Sequence, residues 1–252
     1  TLVRAGGAVV SERWLLLLTV HHVAYDGASG GVLHGELGAL YGALRAGGHA
    51  ADAGLSPMHL QYVDFAVWQR EALSGVLEGQ LSYWRSQLRE GVLPVLELPL
   101  DYARPAVQTF AGDAVPLRVG GGVVSRLESL GRACVGVGCT LFQVVLAVWC
   151  LVLCRHAGQE EVVIGSPYHG RDAPGTEGLI GYFVNMLALR VEVSFAGFGS
   201  SVEGVVRLAA EAASGGMRHA LVPFQSIVHD LLPRRVHDPS RNAVFQSILF
   251  CA

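Results

Sequence analysis

Trp14-Leu15-Leu16-Leu17-Leu18-Thr19-Val20 runs directly into His21-His22-Val23-Ala24-Tyr25-Asp26-Gly27. The apolar run closes a segment, Val9 to Val20, whose pattern predicts a strand buried like a central one. A strand delivers its last side chains to a fixed place. The glycine and serine that follow let the backbone turn there. Adjacent side chains of an extended backbone point to opposite sides, so His21 and His22 meet different surroundings. Histidine is the side chain best suited to move protons near neutral pH. Asp26 lies just beyond the strand end, and a buried carboxylate needs a partner.

The 252 residues suffice for one large domain or two small ones with a substantial core. Hydrophobic residues make up 51% and charged residues 15%, a composition that excludes disorder as the main state. A formal net charge of -3 disfavours a broad nucleic-acid surface, and no basic cluster interleaved with aromatics is present. The most apolar stretch, Leu141 to Cys154, is too short to span a membrane and reads as a buried helix. Neither a membrane segment nor a signal peptide is read, and a cytoplasmic location is expected. Both termini read as those of an excised fragment. The five cysteines include no CxxC pair, which argues against a disulfide framework or a zinc knuckle. Cys150 and Cys154 lie four apart on the apolar helix and are expected to be free thiols in the core, with no metal site.

Beyond Asp26, His21 to Gly31 reads as a loop, and Val32 to Leu44 as a helix ended by Gly47-Gly48. His49 to Pro57 is a linker. Two helical regions follow, one from Tyr62 and one through Leu81 to Leu88. Pro94, Pro99 and Pro105 keep Gly91 to Phe110 extended. A lobe boundary is expected there, dividing the chain into 1–110 and 111–252. Ala114 to Val119, Val162 to Gly165, Val184 to Val193 and Asn242 to Phe250 read as strands. Val123 to Cys134, Thr140 to His156, Ser200 to Ala213 and Pro223 to Leu231 read as helices, with Thr140 as an N-cap. Strands and helices are interspersed, so the fold class is α/β, with α+β-type layers and a mixed sheet.

HHxxxDG at His21 to Gly27 resembles the core motif of nonribosomal peptide synthetase condensation domains, within the chloramphenicol-acetyltransferase-like superfamily. Further segments follow in the family's order. Tyr62-Val63-Asp64-Phe65-Ala66-Val67-Trp68-Gln69 is similar to YxDYAxWQ. Tyr83-Trp84 and Leu98-Pro99-Leu100-Asp101 through Arg104-Pro105 match the stretch beyond it. Gly178-Leu179-Ile180-Gly181-Tyr182-Phe183-Val184-Asn185 matches GxxGxFVN. Val222-Pro223-Phe224 and Ser240-Arg241-Asn242 through Phe245-Gln246 match the later HQDxPFE and SRNPLFQ segments in part. Departures are Ala220-Leu221-Val222 after His219, Met186 after FVN, and Ala28 after Asp26-Gly27. The resemblance implies a V-shaped pseudo-dimer of two lobes around an active-site tunnel, both lobes incomplete in this chain.

It also implies an acyltransferase-type reaction: amide formation between two aminoacyl or peptidyl thioesters. These substrates ride on the phosphopantetheine arms of donor and acceptor peptidyl carrier proteins, beside an adenylation domain. No cofactor is bound directly, and neither nucleic acid nor membrane is a partner. His22 is the residue expected to serve the acceptor amine, as a base or by positioning it. His21 is assigned to holding the loop. Asp26 is either a general acid or base or, the preferred reading, a structural ion-pair partner, with Arg171 considered first and Arg155 second. Gly27 is expected to bring a backbone N–H close to the reacting carbonyl. Asn185 is expected either to line the tunnel or to make a sheet-edge hydrogen bond. Tyr62, Trp68 and Trp84 are expected to pack the interior, and Arg241-Asn242 to tie down a loop. Competing readings are a stand-alone acyltransferase, an epimerisation-type domain and a non-catalytic carrier-protein docking module. The sequence around Tyr62 leans towards L-aminoacyl donors. A serine-nucleophile reading is set aside on the expectation that no G-x-S-x-G elbow is present. The P-loop, GxGxxG and HExxH patterns are likewise not read.

Overall fold

The computed structural model describes residues 2–5, 13–89, 93–134, 138–194, 201–231 and 238–251. Its contacts divide the chain into two units, Thr1–Trp68 with Arg171–Val184, and Gln69–Gly170 with Asn185–Ala252. That differs from the division expected at residue 110. Trp84, Leu88 and Leu96 lie in the hydrophobic core of the second unit. The 171–184 segment is bonded to Asp26, Ser29 and Tyr62 of the first.

In the first unit β1 (Leu2–Ala5) and β2 (Arg13–Leu16) pair antiparallel, with Leu2 opposite Leu16. The strand ends at Leu16 rather than at Val20, and residues 9–12 of the expected strand lie outside the described residues. It is not buried either, since Trp14 to Leu18 are each 49–56% exposed. Among the described residues β2 has one strand neighbour, and pairing along that edge covers neither face of the apolar run. A 3-10 turn, His22–Ala24, follows, and α1 (Gly27–Arg45) starts immediately after Asp26. The loop expected to reach Gly31 is thus only a few residues long. Asp26 caps the helix, so the chain becomes helical five residues before the apolar periodicity begins. A second 3-10 turn, Ala50–Ala53, precedes α2 (Tyr62–Gln87).

α2 is one helix where two were expected. Gly75 and Gly79 each weaken it by about 1 kcal/mol relative to alanine. Leu73, Leu77, Leu81, Trp84 and Leu88 nevertheless repeat at helical spacing and pack on the second core, which outweighs that loss. Trp84 is 1% exposed and donates its indole N–H to the His219 carbonyl at 3.0 Å.

The second unit continues through α3 (Gly121–Ala133), α4 (Leu141–Ala157), β3 (Glu161–Tyr168), β4 (Asn185–Glu192), α5 (Val202–Arg218), α6 (Phe224–Leu231) and β5 (Ser247–Ile248). The three strands form a mixed sheet in the order β4-β3-β5. β3 runs antiparallel to β4 in the register Glu161 opposite Glu192, and parallel to β5. α5 packs on β4, while α4 packs on β3, α5 and α3. Most of β3 and β4 is buried, so the apolar runs read from the sequence lie in a sheet core. Thr140 caps α4 as expected: its hydroxyl accepts the Gln143 N–H at 3.3 Å, and Gln143 reaches back to the Thr140 N–H at 2.8 Å. Gly158 closes the helix at φ 65. Gly165 in β3 allows Phe245 to lie against the backbone, where a Cβ would meet the ring at 2.6 Å.

Two expected strands differ. Ala114 to Val119 is unpaired among the described residues, with Val115 and Leu117 almost fully exposed, so an apolar alternation there has no sheet to join. Asn242 to Phe250 is a strand only at Ser247–Ile248. Asn242 explains the delay, because its Oδ1 accepts the N–H groups of Val244 and Phe245 and holds a turn.

Candidate active site

His21 sits at the head of the 3-10 turn, where its Nδ1 accepts the Val23 N–H at 3.0 Å. His22 is the first residue of that turn and is exposed. Its ring meets the Tyr182 ring edge to face, with centroids 5.3 Å apart. The two histidines therefore differ in situation. One is engaged with its own backbone, and the other presents an accessible imidazole.

Asp26 is 1% exposed and has a full set of donors. Oδ1 accepts the Ser29 N–H at 2.9 Å, the Ser29 hydroxyl at 2.8 Å and the Arg171 guanidinium at 2.8 Å. Oδ2 accepts the Phe183 N–H at 3.1 Å. Burial works to raise this carboxyl, but the Ser29 N–H and hydroxyl, Arg171 and the Phe183 N–H outweigh it. The group is held below the ordinary carboxylate range. Asp26 is thus ionised and hydrogen-bonded, a poor proton shuttle and an effective anchor.

Arg171 is 7% exposed at its side chain. Besides Asp26 it donates to the carbonyls of Thr176 at 2.7 Å and Leu179 at 2.8 Å. Its guanidinium also lies 4.1 Å over the Phe183 ring. Of the two arginines considered for Asp26, the structure brings Arg171 to it. Arg155 lies in the last turn of α4, in the second unit.

Gly27 opens α1, and a Cβ placed on it would meet nothing within 4 Å. The chain's own packing does not require a glycine there; its absence of side chain leaves the surface open. Asn185, at the start of β4, binds the turn before α6. Its Nδ2 donates to the Ala220 carbonyl at 2.8 Å and the Val222 carbonyl at 2.6 Å, and its Oδ1 accepts from Phe224 N–H at 2.9 Å. Arg241 bonds to Glu97 and Asp238.

Ser29 is a site residue that the sequence reading does not single out. It is fully buried and bonds to Asp26, Arg171 and Gly181. The readable signal is the spacing of Asp26 and Ser29, which is that of a capping box. One sequence reading also needs correction: Gly27-Ala28-Ser29-Gly30-Gly31 does fit G-x-S-x-G. The serine nonetheless lies inside the first turn of a helix with its hydroxyl buried, whereas a nucleophile elbow exposes that oxygen. Among the described residues no group of three or more His, Cys, Asp or Glu side chains is placed to hold a metal. No helix among them is long and apolar enough to cross a membrane.

A family model, the condensation domain, matches residues 1–251. The chain belongs to that family. It is 37% identical to tyrocidine synthase 3 of Brevibacillus parabrevis over 240 residues, covering 94% of this chain and 3% of that protein. The X-domain from teicoplanin biosynthesis superposes with a TM-score of 0.79 at 30% identity, over 91% of this chain and 50% of that one. A four-domain nonribosomal peptide synthetase, holo-AB3403 bound to AMP and glycine, matches with a TM-score of 0.77 at 25% identity, over 92% of this chain and 16% of the other. The chain therefore spans a few per cent of the synthase it resembles in sequence and half or less of these structures.

Proposed function

We propose that this chain is part of a domain that forms peptide bonds in nonribosomal peptide assembly. The acceptor's α-amine attacks the thioester carbonyl of the donor, and a C–N bond forms. The tetrahedral oxyanion then collapses, the C–S bond breaks, and the donor arm leaves as its thiol with the proton shed by the amine. Both thioesters are carried on phosphopantetheine arms of carrier proteins, which are substrates here rather than bound cofactors. The neighbouring domains are an adenylation domain and the two carrier proteins, in the cytoplasm. Membership of the family and similarity to a nonribosomal peptide synthetase support this reading.

The observation that carries the assignment within the site is the contrast between His22 and Asp26. His22 is exposed, while Asp26 is buried and fully engaged by Ser29, Arg171 and Phe183. His22 serves the amine, either by accepting its proton or by fixing its lone pair towards the carbonyl. A thioester is already activated, so fixing alone supplies much of the rate. His21, Asp26 and Arg171 hold the loop. Gly27 leaves space for the reacting carbonyl beside the first turn of α1. Asn185 and Arg241 act on loop structure, through their bonds to the turn before α6 and to Glu97 and Asp238.

The test is a reconstituted reaction of the complete polypeptide containing this chain with aminoacyl-loaded donor and acceptor carrier proteins, the dipeptidyl product being detected by mass spectrometry. His22→Ala is expected to lower turnover by about a hundredfold, the scale of general acid–base catalysis. Dipeptide formation at the wild-type rate in that variant would refute the role of His22. Products formed only on a soluble alcohol acceptor would point instead to a stand-alone ester-forming acyltransferase.

A further inference from the structure

Residues 181–184 form neither helix nor strand, yet side chains from two other places in the first unit hold their backbone. The Ser29 hydroxyl oxygen accepts the Gly181 N–H at 3.1 Å and lies 3.0 Å from the Gly181 carbonyl. The Tyr62 hydroxyl donates to the Tyr182 carbonyl at 2.8 Å. Asp26 accepts the Phe183 N–H at 3.1 Å. Gly181 lies so close beneath the Tyr62 ring that a Cβ there would overlap it. Phe183 packs edge-on against Tyr62 at 5.1 Å, and its ring lies tilted against that of Phe65 at 4.7 Å. Gly181 and Phe183 are buried, and the half-buried Tyr182 between them carries its ring to His22.

An exposed histidine on a short turn ordinarily samples several rotamers. An edge-to-face contact biases those populations by up to about tenfold. That bias is useful only if the second ring is itself fixed. Here the backbone of Tyr182 is anchored on both sides and at its own carbonyl.

We propose that Tyr182 is a positioning residue for the reaction: its ring, carried on a backbone that Ser29, Tyr62 and Asp26 anchor, orients the His22 imidazole towards the acceptor amine. This rests on the reading of His22 given above. The anchors act on the backbone of Tyr182, so replacing its side chain leaves them in place and the fold intact.

The experiment compares Tyr182→Leu, Tyr182→Phe, Tyr62→Phe and His22→Ala in the complete polypeptide, measuring dipeptide formation against acceptor carrier-protein concentration. Tyr182→Leu is expected to lower kcat by about tenfold with KM for the carrier proteins within about twofold. Tyr182→Phe keeps the ring and retains kcat within about twofold. Tyr62→Phe removes one anchoring hydroxyl and lowers kcat severalfold without touching His22. A crystal structure of the Tyr182→Leu variant is expected to show the His22 ring turned from its wild-type rotamer. Wild-type kcat in Tyr182→Leu, equal losses in the Leu and Phe variants, or an unmoved His22 ring would overturn the proposal. If His22→Ala itself keeps the wild-type rate, the reading of His22 fails. If His22→Ala is impaired while both Tyr182→Leu and Tyr62→Phe are not, only the positioning role fails.

Discussion

Asp26 shows how one residue can do two structural jobs. It caps α1 through Ser29 and holds Arg171, and all three side chains are buried. Replacing it with asparagine removes the carboxylate that the buried Arg171 binds at 2.8 Å, which is expected to destabilise the fold by about 3–5 kcal/mol. Chemical denaturation of Asp26→Asn beside the wild type measures this. The pH dependence follows from the depressed carboxyl. A folded-state value below the ordinary 3.8 means the stabilisation is present above that value and is lost as pH falls through the lower folded one. Acid unfolding should therefore steepen below about pH 4 in the wild type, and Asp26→Asn should lack that component. Much of this is legible in the sequence. The need of Asp26 for a cationic partner follows from the cost of burying a carboxylate, and Arg171 is the first of the two arginines considered for it. Ser29 is legible only as the third residue of a capping box begun by Asp26. Its bonds to Gly181, and the contact of Tyr182 with His22, join groups 152 and 160 positions apart in sequence, for which local spacing gives no cue.

At the scale of elements, caps and apolar spacing locate α3 to α6 within a few residues, and Thr140 and Gln143 form the box that starts α4. Elements whose order depends on neighbours are the ones that local pattern misreads. The Ala114 to Val119 alternation is not a strand, because a strand exists only where another pairs with it. Propensity alone splits α2 near Gly75 and Gly79; the core that its leucines and Trp84 reach keeps it whole. Trp84→Ala is expected to lose about 3–5 kcal/mol, since it empties a buried site and strips the His219 carbonyl of its donor. A urea titration of this variant should show a lower midpoint at unchanged slope. The thiols of α4 give a second check. Burial pushes Cys154 up to about 11 and Cys150 higher still. Iodoacetamide at neutral pH should modify the exposed Cys251 while leaving Cys150 and Cys154 intact until denaturant is added. Modification of all three at one rate would contradict the packing of this helix.

Over the whole chain, the order of matched segments carries more than any one of them. HHxxxDG alone fits several acyltransferase chemistries; with the Tyr62, Gly178 and Ser240 segments downstream it specifies the condensation family. The division into units is not legible, because α2 and the segment around residues 171–184 each run from one unit into the next. In the function proposed for the motif, chemistry and architecture are separated, His22 acting on the amine and Asp26 with Arg171 holding the loop. Single-turnover dipeptide formation and melting temperature should be measured together for His22→Ala in the complete polypeptide. The rate is expected to fall by about a hundredfold at an unchanged melting temperature. A wild-type rate, or a rate loss matched by loss of the folded state, would contradict it.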